Sequence, residues 1–286
     1  MVRIFGALVG IFFAGMLLVS FVIGLVAVAP VVAEYHSFVA PTVEEEFHKH
    51  PEAESWSFNG PFGKYDHKQL QRGFQVYTEV CSACHSLKHV AFRDLEGIGY
   101  NEAEVKAIAK NWKAKITDVD PKTGDANERA PTPADLVPVV HYAGQGTPPD
   151  LSLIAKARHG GADYIHALLT GYADQAGYKN EKGKELLKEF PDAKTPDGLF
   201  FNPYFANLNM AMPPPLTSEG QVSYGPGNPK PTVDQMSQDV SAFLTWAAEP
   251  KLEARKSTGF AVVIFLLFAS VLSYLSYQSI WANKEH

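Results

Sequence analysis

The sequence predicts a mainly α-helical domain with long loops, exported from the cytoplasm and carried between an apolar helix at either end. Three observations carry that prediction. Residues Ile4 to Ala33 and Ser257 to Asn283 contain no charged side chain. Between them, apolar residues recur at helical spacing in two stretches, and nowhere does the apolar–polar alternation of a half-buried strand emerge. A chain that is 46% hydrophobic and 20% charged is also too apolar for disorder, so the part between the apolar ends must bury a core.

The N-terminal run comes after one basic residue, Arg3, and stays apolar for 30 residues, beyond the ~7–15 of a usual signal-peptide core. Ala27-Val28-Ala29 has the small residues of a cleavage site, but Pro30 would obstruct the peptidase, and Val31-Val32-Ala33 is the usable second choice. Residues 1–33 therefore read as a cleaved signal peptide or an uncleaved signal anchor, the length favouring the anchor. Both readings leave Arg3 inside and export the domain beyond residue 33. Residues 34–57, with Glu44-Glu45-Glu46 and the breakers Pro41 and Pro51, read as an extended acidic linker.

The exported domain is expected over 58–250. Asp66 is placed to cap a helix, and Leu70, Phe74, Tyr77 and Val80 give it one apolar face that ends at Cys81. Glu102 to Lys113 reads as a charged helix, and Thr117 to Pro149 as a surface excursion rich in Pro, Gly and Asp. Asp150 is placed to cap a helix from Leu151 to His159, stopped by Gly160-Gly161, with another helix from Ala162 to Thr170. Lys179 to Lys188 reads as a short charged helix. Pro191 to Pro231 contains nine prolines and reads as loop. Val233, Met236, Val240, Phe243, Leu244 and Ala247 then mark an amphipathic helix.

Past a juxtamembrane stretch at 251–257, residues 258–277 form an apolar run whose ~30 Å helical length matches a bilayer's hydrocarbon core. Arg255 and Lys256 precede it, and Tyr274, Tyr277 and Trp281 stand where an aromatic belt forms. The tail 278–286 is expected in the cytoplasm. Without Arg3, Lys284 and Glu285, the span from Glu34 to Lys256 has 23 Lys+Arg against 30 Asp+Glu, a net of −7. That balance gives no footprint for nucleic acid and favours a basic protein partner.

The only two cysteines lie in Cys81-Ser-Ala-Cys84-His85, which excludes a disulfide scaffold and matches the C-x-x-C-H attachment sequence of c-type haem. Two thiols on one helical turn match the separation of the haem vinyl groups, and the next residue's imidazole reaches the iron from the same face. A thioredoxin-like dithiol would need a strand before the motif, where a helix is expected. A zinc site has His89 nearby but lacks a second cysteine pair. A disulfide over so short a loop is geometrically poor. For a sixth iron ligand the candidates are Met210, Met212, Met236 and the other histidines, His159 and His89 foremost. Met236 belongs to the apolar face of the last amphipathic helix. Met212 precedes Pro213-Pro214-Pro215, which stiffen the backbone; Met210, two residues earlier, would point to the same side of an extended run. Stiffness favours Met212.

These residues sit in longer strings. Gln71-Arg-Gly-Phe-Gln-Val-Tyr-Thr-Glu-Val80 runs into the haem motif, with Val90-Ala-Phe-Arg-Asp-Leu95 after it. Then come Pro148-Pro-Asp-Leu-Ser152, Ala157-Arg-His-Gly-Gly161, Leu168-Leu-Thr-Gly-Tyr172, Asn202-Pro-Tyr-Phe205 and Ala211-Met-Pro-Pro-Pro-Leu216, with Ala242 to Pro250 before the anchor. In this order, over about residues 58–280, the chain resembles the bacterial type of the cytochrome c1 family, the c-type haem subunit of the cytochrome bc1 complex (ubiquinol–cytochrome c reductase, respiratory complex III). The resemblance implies a cytochrome c-like domain holding one covalent haem c. It implies Cys81 and Cys84 as thioether links, His85 and Met212 as iron ligands, and Arg158 and Tyr164 near the haem propionates. It further implies cytochrome b and the Rieske iron–sulfur protein as partners, cytochrome c as electron acceptor, and membrane lipid around the anchor. The haem domain would lie in the periplasm on a bacterial inner membrane, and this chain would bind no quinol itself. One departure stands out: His141 to Thr147 occupies the place of an Asn-rich stretch of the family, so the loop over 131–147 is shortened. The reading from another class is a membrane-anchored haem sensor or peroxidase with a labile methionine, which fast carbon monoxide binding would reveal.

Overall fold

The computed structural model describes residues 2–38, 41–144 and 146–282, in two compact units, Met1–Glu46 and Phe47–His286. The first unit is helix α1 (Val2–Phe38), 37 residues long with Pro30 inside it. Its stretch Val9–Pro30 is apolar and long enough to cross a membrane, and its side chains are exposed. The helix continues past Ala33 into the stretch expected to be linker. Next is α2 (Val43–Phe47), where the Thr42 hydroxyl accepts from the Glu45 amide and the Glu45 carboxylate accepts from the Thr42 amide. This reciprocal cap is why an acidic run forms a helical turn here instead of the expected extended chain.

In the second unit, the rest of the expected linker is packed. Phe47 is buried against the rings of Tyr178 and Phe190, and the Trp56 indole donates to Asp163 Oδ1 at 2.5 Å. The compact body thus starts at Phe47 rather than at residue 58, because Phe47, Trp56 and Phe58 bring apolar surface that a solvated linker lacks.

Helix α3 (His67–Glu79) is capped by Asp66, whose carboxylate accepts from the Lys68 and Gln69 amides. It buries Leu70, Phe74 and Tyr77, as their spacing predicts. Helix α4 (Glu102–Lys110) comes next with an Asn101–Glu104 capping box, three residues shorter than expected. The expected surface excursion contains a hairpin, β1 (Ile116–Val119) against β2 (Ala126–Arg129), and Phe200–Phe201 (β3) pairs with Asn209–Met210 (β4). Neither pairing shows in the sequence as alternation. Both strands of the hairpin are solvated on both faces, and β3 and β4 are two residues each.

Helix α5 (Ile154–Ala157) is shorter than the expected Leu151–His159, since Arg158 is already extended and Gly160 and Gly161 have φ of +86° and +52°. Helix α6 (Gly161–Thr170) falls where expected. The expected helix over Lys179–Lys188 reduces to α7 (Leu186–Glu189), because Asn180 Oδ1 caps a turn through Gly183 at φ +77°. Helix α8 (Val233–Ala248), capped by Thr232, buries Met236, Val240, Phe243, Leu244 and Ala247. Helix α9 (Leu252–Trp281) runs unbroken for 30 residues through the expected membrane span.

The core is the crossing of α3 on α8. A Cβ on Gly73 would lie 2.0 Å from the Asp239 carbonyl oxygen, so only glycine lets the two backbones meet there. Beside the crossing, Arg72 pairs with Asp239 through two bonds of 2.9 Å, with the Asp239 side chain fully buried. The Tyr77 and Phe74 rings pack against Phe243. This crossing fixes the end of α3, and with it the first turn of the site.

Candidate functional site

After α3 the chain tightens into a 3-10 turn, Cys81–Ala83. The Cys81 carbonyl accepts from both the Cys84 and His85 amides, at 3.1 and 2.9 Å. Both thiols are free, on successive sides of one turn. Burial pushes the Cys81 thiol up to about 12, with Cys84 adding to the shift. From inside α3, Tyr77 Oη donates to the His85 carbonyl at 2.8 Å, which ties the end of the motif to the core.

His85 is oriented from a distant segment. Its Nδ1 lies 2.8 Å from the Pro149 carbonyl oxygen. A carbonyl can only accept, so Nδ1 carries the proton and Nε2 keeps a lone pair. Pro149 is aimed by bonds made by the three residues that follow it. Leu151 N donates to Ser86 O, Lys88 N to Asp150 Oδ2, Ser152 N to Asp150 Oδ1, and His89 N to Ser152 Oγ, all between 2.9 and 3.1 Å. Asp150 therefore spends its carboxylate on joining two loops, and not on the helix cap expected of it.

The candidate sixth ligands lie in the methionine segment. Met210 is buried in β4, paired with Phe200 of β3. The chain then bends at Ala211 and Met212, so the extended run assumed for the two methionines ends at Met210. Met212 is half-buried, and its carbonyl accepts from Tyr172 Oη at 3.0 Å. Burial holds that hydroxyl above the ordinary tyrosine range. Asn202, fully buried, donates to the Leu168 carbonyl at 2.8 Å and thereby fastens the same segment to α6.

The loop over 131–147 touches both the haem-motif turn and the methionine segment. Val140 N donates to Ser86 Oγ at 2.7 Å, and a cleft of about 220 Å³ is lined by Cys84 together with Val140, His141, Tyr142 and Thr147. A Cβ on Gly146 would come within 3.9 Å of Ala211 Cβ, so the loop reaches the methionine segment. Arg158 and Tyr164 are brought together: burial raises the Tyr164 hydroxyl, and the positive charge of the nearby Arg158 guanidinium opposes that rise. His89 and His159 are both exposed. A larger groove of about 410 Å³ runs along the polar face of α3 between Lys68, Arg72 and Asn228, and holds no thiol, imidazole or thioether.

The donor set fits haem c. Two free thiols share a turn with an imidazole whose Nδ1 is already engaged, and a thioether stands on a braced segment. Among the described residues no three His, Cys, Asp or Glu side chains converge, so a zinc centre is not assembled. Sequence reasoning missed Tyr77, Pro149 and Tyr172 as parts of the site. Tyr77 and Tyr172 had one signal, a hydroxyl on an otherwise packed position; Pro149 had none, because it acts through its backbone.

A haem-attachment turn on a helical domain, with apolar helices at both ends of the chain, defines a membrane-anchored c-type cytochrome. The model of the Cytochrome C1 family matches residues 56–284. The chain is 42% identical over 250 residues to cytochrome c1 of Rhodospirillum rubrum, covering 82% of this chain and 88% of that one. It is 41% identical over 243 residues to "Cytochrome c1, heme protein, mitochondrial" of Saccharomyces cerevisiae, covering 82% of this chain and 71% of the other. It is also 41% identical over 251 residues to "Cytochrome b/c1" of Bradyrhizobium diazoefficiens, again over 82% of this chain but 36% of the relative. The chain belongs to the cytochrome c1 family. It is accordingly a membrane-bound electron-transfer subunit of the bc1 complex with one covalently attached haem c, and the sensor or peroxidase reading is not favoured.

Proposed function

We propose that Cys81 and Cys84 form the thioether links to the haem, that His85 Nε2 and Met212 Sδ are its iron ligands, and that Arg158 and Tyr164 face its propionates. The bound haem supplies a one-electron Fe(III)/Fe(II) couple. The observation that carries the reading is the His85–Pro149 bond, which leaves Nε2 free on the same turn as two unpaired thiols. Met212 is favoured by its bend out of β4 and by the Tyr172 bond behind it. A neutral thioether opposite imidazole favours Fe(II) and raises the potential, which suits a late member of an electron chain.

The chain takes single electrons from the Rieske iron–sulfur protein and passes them to cytochrome c, with cytochrome b as its neighbour in the membrane. The name of the Bradyrhizobium relative, which joins b and c1, supports the last pairing. The acidic balance of Glu34 to Lys256 supports a basic acceptor, whose approach it would accelerate at low salt. The haem domain lies in the periplasm, residues 251–257 form its juxtamembrane stretch, 258–277 span the bilayer, and 278–286 are cytoplasmic. The test is acid–acetone treatment of the denatured holoprotein. Haem should stay on the polypeptide of the parent and be held by at most one link after Cys81→Ala or Cys84→Ala. Haem that extracts freely from the parent would overturn the assignment.

A further inference from the structure

The loop Ser57 to Tyr65 is clamped to the junction of α8 and α9 by contacts that the haem site does not use. Lys256 Nζ donates to the Phe58 carbonyl at 2.5 Å and to the Gly63 carbonyl at 3.4 Å. Tyr65 N donates to Glu253 Oε1 at 2.9 Å, and Tyr65 Oη donates to the Glu249 carbonyl at 3.2 Å. Phe58 packs against Tyr65 and stacks on Trp56. Between the clamps the turn is tight: a Cβ on Gly63 would lie 2.0 Å from the Asn59 carbonyl oxygen. A loop held this firmly presents its one large apolar side chain outward. Phe62 is 71% exposed, and its ring meets that of Phe260 edge to face, centroid to centroid 5.3 Å.

Phe260 belongs to the uncharged part of α9, two residues after Thr258. At ~1.5 Å per residue it sits ~3 Å below the point where a ~30 Å hydrocarbon core starting at Thr258 begins. A ring beside it is therefore at the depth of the lipid glycerol and upper acyl chains. Lys64, two residues after Phe62 in the chain, is exposed, and a lysine at this level suits a phosphate layer.

We infer that Phe62 is a membrane contact of this chain in addition to α9, inserted into the periplasmic leaflet's interface beside that helix, with phospholipid as its occupant. The bilayer is chosen because the ring packs on Phe260 of the anchor. A contact at Phe62 beside α9 then restrains how the haem domain tilts where α9 enters the membrane. The inference rests on α9 crossing the bilayer, and its test checks that premise separately.

The photoreactive analogue p-benzoylphenylalanine is placed at position 62, at position 260 or at position 119, one per variant, in the full haem-loaded chain in its native membrane. Val119 is 61% exposed on the hairpin and serves as the aqueous control. After irradiation, mass spectrometry should find phospholipid adducts at 62 and 260 and none at 119. A polypeptide adduct at 62 would show that a partner subunit covers the loop, and no adduct at 62 would place it in water; either result overturns the inference. Absence of lipid at 260 would instead refute the anchor. A smaller change, Phe62→Trp in the full chain reconstituted into acyl-brominated phosphatidylcholine vesicles, gives an independent reading. Its added tryptophan emission should be lower than in unbrominated vesicles, and emission indifferent to bromine counts against insertion.

Discussion

Met210 and Met212 are two residues apart and differ in what surrounds them. Met210 is buried within a strand pair, whereas Met212 is half-buried on a bend braced by Tyr172 Oη. Met212→Leu should therefore abolish the thioether–iron charge-transfer band, open the reduced iron to carbon monoxide, and lower the potential. Assembly should survive, since a swap of similar volume usually costs under ~1.5 kcal/mol. Met210→Leu should leave band and potential in place. The opposite pattern, read by absorption and redox titration, would move the ligand to Met210; no effect of either would direct attention to His159. At this scale the sequence is informative where chemistry is local. The cysteine pair, His85 and the proline-stiffened Met212 can all be read from their neighbours. The partner that sets the tautomer of His85 cannot, because Pro149 lies 64 positions away and contributes only a carbonyl. The expectation that both methionines face one way assumed an extended backbone through Ala211, where the chain bends.

Helices α3 and α8 are legible because each has a single apolar face, and the periodicity of buried residues comes from 3.6 residues per turn. The contact that holds them in register is not. Asp239 stands on the buried face of α8 beside Val240, a polar residue out of pattern, and its partner Arg72 is 167 positions away. Asp239→Leu should leave the guanidinium without its partner and destabilise the domain by roughly 3–5 kcal/mol, whereas the double change Arg72→Met with Asp239→Leu should recover most of that loss. Urea unfolding of the holoprotein measures both, and a double variant as unstable as the single one would refute the account. The hairpin is illegible for the opposite reason, since neither of its faces is buried. It is fastened to the domain by Asp135, which accepts from Arg129 at 2.6 and 2.8 Å and from Thr132 N and Oγ1 at 2.7 Å. The Arg129 bonds hold the Asp135 carboxyl well below the usual carboxylate range. A carboxyl depressed in the folded state contributes its stability above the unfolded value of ~3.9 and loses it as pH falls through the lower folded value. Protection of the hairpin amides, taken relative to the intrinsic exchange rate at each pH, should be unchanged from neutrality down to about pH 4 and fall only in stronger acid. Asp135→Asn should exchange fast already at pH 7; a variant protected like the parent there would show that the carboxylate does not fasten the hairpin.

The whole molecule poses a conflict that no single element resolves, namely which way the anchor lies. Lys251, Arg255 and Lys256 precede the span, and only Lys284 comes after it, on a tail whose last residues, 283–286, lie outside those described. Basic residues favour the cytoplasmic side, so this count alone would hold the haem domain inside. Two arguments outweigh it. The N-terminal apolar run, with Arg3 before it, directs the chain beyond it outward, and long domains translocate largely regardless of their charge. Lys256 is also not a free charge, since its ammonium is bonded to the Phe58 and Gly63 carbonyls as part of the folded base of the domain. It forms those bonds only once the domain has folded, so in the proposed orientation its retention outside would be coupled to that folding. Alkaline phosphatase joined after His286 should therefore be inactive and a cytoplasmic fluorescent reporter at the same place bright. Active phosphatase would place the tail in the periplasm and reverse the topology. Replacing Lys251 and Arg255 by Gln should leave the orientation as it is, because the leader and the domain, not the basic residues, decide it.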